Sequence, residues 1–118
     1  MKARDLYSYV KTIMFEKPSS TIYDNYFIGN CNRVIAELFN ENNMLRVFKG
    51  YAPLEEMPLI YEMDDEIEYE SEYVYDVMPK GIAAYFLIDD DLQKYGIYAT
   101  DYNNARVLHQ VFVSADKL

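Results

Sequence analysis

The run Gly81–Ile88, GIAAYFLI, is apolar on nearly every side once wound into a helix. A helix with no wet face must be enclosed by other elements, so this segment is expected at the centre of the core. Pro79 stands just before it, where a first helical turn tolerates a missing N–H, with Asp76 or Val77 just outside. Asp89, Asp90 and Asp91 follow. Aspartates compete for backbone hydrogen bonds and cap well, so one can end this helix and another begin the next. In that next segment Tyr95, Tyr98, Ala99, Tyr102, Ala105 and Arg106 fall at three- and four-residue spacings, while Lys94, Thr100, Asp101, Asn103 and Asn104 face away. The stretch Asp76–Val107 is therefore predicted to be two helices, about 79–90 and 93–109, around which the rest is organised.

Earlier in the chain Leu6, Tyr9, Val10, Ile13 and Met14 repeat with helical period, predicting an amphipathic helix over about 3–17 that Pro18 stops. Thr21 to Asp24 has the spacing of a weak capping box. A second helix over about 22–40 follows, with Phe27, Cys31, Val34, Ile35 and Leu38 as its buried stripe and Asn40, Asn42 and Asn43 marking its end. The period then changes. Two prolines and a glycine over 44–63 suit a loop leading into an extended insertion at about 50–75. Ile67, Tyr69, Ser71, Tyr73 and Tyr75 alternate with Glu66, Glu68, Glu70, Glu72 and Asp76, which predicts a strand with one aromatic and one acidic face. Leu59–Met63, turned back at Asp64 and Asp65, is its expected hairpin partner, and two strands alone need a surface to lie on. Residues 110–118 form a short tail with Val111, Phe112 and Val113 at its apolar centre. The fold class expected is mostly α: a small antiparallel bundle of about four helices with an inserted β-hairpin or extended arm between helices 2 and 3, and a C-terminal tail.

With 118 residues the chain fits one domain able to fold without staples. A hydrophobic fraction of 51% with 13 Tyr and 6 Phe excludes wholesale disorder. No run approaches the roughly 18 apolar residues of a membrane span, and the N-terminus has no secretory h-region, so a soluble protein is expected. One cysteine, Cys31, cannot form an internal disulfide and agrees with a reducing cytoplasm. The formal charge of −9 argues against gripping phosphate backbones.

Catalysis leaves a constellation of tuned groups, and the sequence offers none. The one imidazole, His109, lies near a helix C-terminus, where it complements the dipole. Cys31 lies on an apolar stripe, as inert thiols do. The triplet 89–91 lacks the spacing, glycine and closing glutamate of a calcium loop, and the four glycines are isolated, so no phosphate loop exists. No catalytic residue, cofactor or metal ligand is expected. Tyrosine is the residue that calls for an explanation, because its large ring and polar tip suit faces dry in an assembly and wet outside it. Tyr85, Tyr98 and Tyr102 read as core filling. Tyr61, Ile67, Tyr69, Tyr73 and Tyr75 on the insertion, and Val111, Phe112, Val113 and Leu118 on the tail, are the expected contacts with other subunits.

The order of a helix, a second helix containing NRVIAELFNENN, a proline-containing insertion, then MPKGIAAYFLIDDD followed by YATDYNNARV, resembles the head-to-tail connector (adaptor, or head completion) proteins of tailed bacteriophages. The resemblance covers roughly Ile22–Val107. It implies a small helical bundle whose copies form a ring, a dodecamer by family analogy, beneath the portal protein. Such a ring lengthens the DNA channel without binding DNA specifically and receives the next neck, stopper or tail protein. It also implies location in the virion neck after synthesis in the host cytoplasm, with no membrane partner. The short tail and very acidic insertion depart from the commoner family pattern. The competing expectation from another class is an acidic DNA mimic that blocks a DNA-binding protein, which needs carboxylates arrayed over a long face.

Overall fold

A computed structural model describes residues 1–114 and 116. It contains four α-helices: α1 (Ala3–Ile13), α2 (Phe27–Phe48), α3 (Met78–Leu87) and α4 (Leu92–His109), with a π-helical turn, Tyr73–Val77, leading directly into α3. The mostly helical expectation holds. The hairpin does not: among the described residues there is no strand pair, only an isolated antiparallel bridge between Lys2 and Glu66.

Enclosure of α3 sets the arrangement. Eight of its ten residues are buried, and α1, α2, α4 and the π-turn all pack against it. At Gly81 α4 comes close enough that a Cβ built there would meet the Tyr102 ring at 2.7 Å. Asp91 caps α4 as aspartates do, its side chain accepting from the Lys94 N–H at 3.1 Å. Pro79 lies in the first turn of α3. Because helical turns continue back to Ser71, its ring would crowd the carbonyl one turn earlier. The wide turn before it, in which the Met78 N–H reaches the Tyr73 carbonyl, makes room.

Several boundaries differ from the sequence reading. Helix α1 ends at Ile13, well before Pro18, because Phe15 turns left-handed with φ 61°. Its buried face carries Tyr7 in place of Tyr9: Tyr7 stacks on Phe27 at 4.7 Å and donates to Asp24 at 2.7 Å. With Asp24 so engaged and Tyr23 stacked on Phe86 at 4.4 Å, residues 22–26 form turns and α2 starts at Phe27. Helix α2 then runs through Asn40, Asn42 and Asn43 to Phe48. The asparagines do not end it, because Asn42 and Asn43 are buried and spend their amides sideways, as described below.

The predicted strand does not form. Over 66–70 the chain holds only the isolated bridge at Glu66 and a bend at Tyr69, though its burial alternates, with Ile67 and Tyr69 inward. From Ser71 it is helical, and Tyr73, Val74 and Val77 line the core on the same side as Met78. The run YVYDV satisfies both periods, and packing on α3 and α4 decides for the helical one.

Gly81→Ala is expected to destabilise by about 1–3 kcal/mol, the usual size of an overpacking defect, because Tyr102 is tethered to Glu37 through a 2.8 Å hydrogen bond and cannot yield freely. Urea unfolding of the variant beside the parent measures it; equal midpoints would show that α3 and α4 are farther apart than described.

Candidate interaction surface

The segment between α2 and the π-turn, residues 49–72, was expected to be the contact arm. It is instead fastened along its length to its own chain. It runs out beside α2, turns at 62–65 and returns. On the way out, Asn43 exchanges two hydrogen bonds with Leu54, at 3.1 Å from its amide nitrogen and 2.8 Å to its oxygen. Asn32, three turns earlier, does the same with Ile60, both at 2.8 Å. A side-chain amide carries a donor and an acceptor side by side, so each pair is equivalent to one rung of a ladder supplied by a helix. At the turn, the Asp65 carboxylate accepts from the N–H groups of Tyr61 and Glu62. On the return, Ala3 and Arg4 donate to the carbonyls of Asp65 and Met63, the Ile67 N–H bonds to the Met1 carbonyl, the Tyr69 hydroxyl donates to the Ile35 carbonyl, and the Asn42 oxygen accepts from Glu70. The turn at Asp64 and Asp65 is where the sequence places it. Its arms pair with α2 and with residues 1–4, and not with each other.

This placement corrects part of the expected contact set. Ile67, Tyr69 and Tyr73 lie in the monomer's own core, Tyr73 with no exposure at all. Tyr61 and Tyr75 are exposed, at 76% and 56%. After α4 the chain is extended and alternates: Val111 and Val113 are half-buried, Phe112 is 78% exposed, and Ser114 faces outward. Leu118 lies outside the described residues.

The acidic stretch Glu62–Asp76 is largely neutralised by neighbours. Arg4 pairs with Asp64 at 2.6 Å and the Met1 ammonium with Glu66 at 3.1 Å. Arg46 and Lys49 share Glu70 at 3.2 and 3.3 Å, Lys49 also holds Glu72 at 2.7 Å, and Lys80 holds Asp76 at 2.6 Å. The other oxygen of Asp76 meets His109 Nε2 at 2.7 Å. His109 thus fastens the end of α4 to the π-turn, a role for which helix position alone gave no signal. With Asp65 committed to backbone amides, Glu62 and Glu68 are the members of the stretch without a partner among the described residues.

Surfaces the sequence reading missed are apolar. Phe15 is 94% exposed on its left-handed turn, a conformation that costs a non-glycine residue about 1–2 kcal/mol. It walls a groove of about 640 Å³ between the end of α1, α3 and the first half of α4. Ile22 and Tyr26 are exposed on a neighbouring pocket that shares Tyr23 with this groove, Phe48, Tyr51, Met57 and Leu59 at the end of α2 and along the insertion, Leu92 and Ile97 on the first half of α4, and Val107 and Leu108 at its other end. The legible signal was there for the last two, apolar residues falling off the Tyr102–Ala105 stripe.

Burial pushes the Cys31 thiol up to about 12, far from a nucleophile's range. The Tyr85 and Tyr102 hydroxyls both donate to Glu37, at 2.5 and 2.8 Å, and burial raises both above the ordinary phenol value. Among the described residues no three His, Cys, Asp or Glu side chains converge as metal ligands, and no helix is long and apolar enough to cross a membrane. Compared with protein-family models, curated proteins and solved structures, the chain matches none of them.

Two expectations follow from the fastening. Asn32→Ala leaves the buried Ile60 backbone without partners and should cost about 1–3 kcal/mol, with faster amide exchange at 58–64 and unchanged exchange in α3; uniform acceleration would deny the local role. The second concerns acid. Lys80 holds Asp76, Lys49 holds Glu72, and two backbone amides hold Asp65 below the ordinary carboxylate range. Depressed carboxylates stabilise the fold above the unfolded value of about 4 and lose that contribution as pH falls through their lower folded values. Amide resonances of 61–76 should therefore shift and broaden in acid before those of α3, and a single simultaneous transition would refute the order.

Proposed function

We propose that this chain is a virion structural protein whose activity is assembly: a head-to-tail connector that forms a ring below the portal, extends the DNA channel and docks the next neck or tail protein. The observation that carries the reading is a closed monomer core combined with large apolar side chains exposed at several separate places: Phe15 and Ile97 on one groove, Ile22 and Tyr26 on another, Val107, Leu108 and Phe112 about the end of α4, and Phe48, Tyr51, Leu59 and Tyr61 from the end of α2 along the insertion. Exposed apolar patches of this kind mark contact surfaces, and different patches on each copy favour identical heterologous contacts that repeat around an axis. The resemblance of MPKGIAAYFLIDDD and YATDYNNARV to connector proteins supports placing such a ring in a phage neck.

The pairing of the acidic stretch bears on the competing reading. A carboxylate already bonded to Arg46, Lys49 or Lys80 is a poor substitute for a phosphate, so the DNA-mimic hypothesis loses the charged face on which it depended. The net charge of −9 remains compatible with a channel that DNA traverses without adhering.

The test is light scattering and negative-stain imaging of the purified chain, alone and mixed with a portal ring. Closed rings, dodecameric by family analogy and stable in salt, are the expected result. A chain that stays monomeric in both settings, or that binds a basic DNA-handling protein in a salt-sensitive manner, would overturn it.

A further inference from the structure

Two pockets meet at one tyrosine. The groove of about 640 Å³ carries Phe15, Leu87 and Ile97, a pocket of about 350 Å³ beside it carries Ile22, Tyr26 and Ile88, and Tyr23 lines both. Tyr23 is only 8% exposed, yet its hydroxyl has no hydrogen-bond partner among the described residues. By contrast Tyr85 and Tyr98, which line one pocket each, donate to Glu37 and to the Ile13 carbonyl. A nearly buried polar group is ordinarily satisfied, so one left open toward two cavities points to a ligand.

The surrounding charges specify which ligand. Glu16 and Asp101 line the groove, Asp89 and Asp90 line the pocket, and none of the four makes an ion pair among the described residues. Of the lining bases, Lys80 is taken by Asp76, Arg33 lies over the Tyr85 ring at 3.8 Å and 3.9 Å from Glu37, and Lys94 is left unpaired. Burial, and after it the charges of Glu16, Asp90 and Asp91, raises the Tyr23 hydroxyl above the ordinary phenol value, which brings three carboxylates to the same ring. A cation with an apolar neighbour suits this place, since carboxylates pair with it, a phenol oxygen accepts from it and aromatic faces attract it.

A second copy does not supply that chemistry. Phe48 and Tyr51 stand beside Arg46 and Lys49, which Glu70 and Glu72 hold, and Val107 and Leu108 beside Arg106 and His109, which Glu41 and Asp76 hold. Next to Met57, Leu59 and Tyr61 are Glu55, Glu56 and Glu62, and Asp116 follows Phe112. The unpaired Lys17 and Lys94 lie by Phe15 and Leu92, at the site itself. Two copies meeting there face to face would set Glu16, Asp89, Asp90 and Asp101 against their own kind.

We propose that this end of the molecule binds a basic segment of a different protein, with one Lys or Arg side chain at the Tyr23 hydroxyl between Glu16 and Asp90 and a neighbouring apolar side chain in the groove at Phe15 and Ile97. The inference goes beyond the assembly reading and does not depend on ring formation. The cation supplies specificity and the apolar anchor supplies buried area, so neither suffices alone.

The experiment titrates the full chain with three synthetic peptides of equal length, built from Arg and Leu, from Glu and Leu, and from Arg and Ser, and follows amide resonances. The Arg and Leu peptide should bind, shift residues around Phe15, Tyr23, Asp90 and Ile97, and weaken as salt is raised. The other two should bind about 10-fold more weakly or worse, the loss of roughly one good contact. Phe15→Asn, which suits the left-handed turn, and the pair Glu16→Gln with Asp90→Asn should each cost the first peptide a similar factor, with thermal melting unchanged as the control for folding. Failure of the Arg and Leu peptide to bind would overturn the proposal. So would equal binding by the Glu and Leu peptide, which would remove the cation's role, or by the Arg and Ser peptide, which would remove the groove's. Shifts centred on Glu62 and Glu68 would mean attraction to diffuse negative charge and would overturn it too.

Discussion

A helix buried at eight of its ten positions cannot be satisfied from one side. Met78–Leu87 needs cover all round, and each other helix is placed by supplying part of it. Helix α1 brings Tyr7, whose ring meets Phe86 edge-on at 6.3 Å, and the α1–α2 connection brings Tyr23, stacked on the same phenyl. Helix α4 lays Tyr102 across Gly81, the one position on α3 with no side chain in the way. Apolar cover alone does not fix register, since Leu, Ile and Phe pack in many offsets. Directional bonds between α2 and α4 do. Glu37 and Glu41, four residues apart on α2, meet Tyr102 and Arg106, four apart on α4, and Arg106 grips Glu41 with two nitrogens. Sliding either helix by a turn would strand a half-buried carboxylate.

The second demand comes from the long connection between α2 and the π-turn. More than twenty residues without regular structure are unusual in a small domain, because backbone groups lying against a core must find partners. Here the partners are side chains of α2. Asn32 and Asn43 act as rungs, Asn42 holds the returning segment at Glu70, and Arg46 donates to the Ala52 carbonyl at 2.8 Å. Among the described residues two buried side-chain donors remain unmatched, the Asn42 amide nitrogen and the Tyr73 hydroxyl. The connection is thus a layer of the fold fastened by helix side chains.

That device explains why the helices were legible and the insertion was not. Period, proline and aspartate specify α3 and α4 locally, so Gly81–Ile88 and the Tyr95–Arg106 stripe can be read with no knowledge of their neighbours. An asparagine has no such local meaning. At Asn40–Asn43 the same amide that caps a helix end can also bond sideways to a segment ten or more residues away, and only the tertiary structure distinguishes these. Alternation had the same weakness. Over 66–70 it correctly put Ile67 and Tyr69 on one side but gave a strand that does not form, because periodicity says which residues share a face and nothing about what the face touches. Tyr73 and Tyr75, assigned to one face, are separated by the helical turn that Pro79 and the core impose, one fully buried and the other exposed.

Moving Ile67, Tyr69 and Tyr73 from interface to core changes what the proposed assembly would require. Had they waited for a neighbour, association would have had to fold the insertion as well, with the ordering cost that entails. With them already packed, and with the acidic stretch already paired to Arg4, Arg46, Lys49 and Lys80, the monomer presents a finished body. Its exposed apolar side chains include Phe15 and Ile97, the Val107–Phe112 end, and Phe48, Tyr51, Leu59 and Tyr61. Rigid bodies meeting through such limited patches associate weakly in pairs and gain strength from geometry, because the angle between two unlike patches is set by the helices that carry them. In this chain one helix carries both: α4 bears Ile97 near one end and Leu108 near the other, eleven residues and so close to three full turns apart. Ile97 and Leu108 therefore project from the same side of a single stiff rod, and in the proposed ring the rotation from copy to copy would follow from how α4 sits on α3.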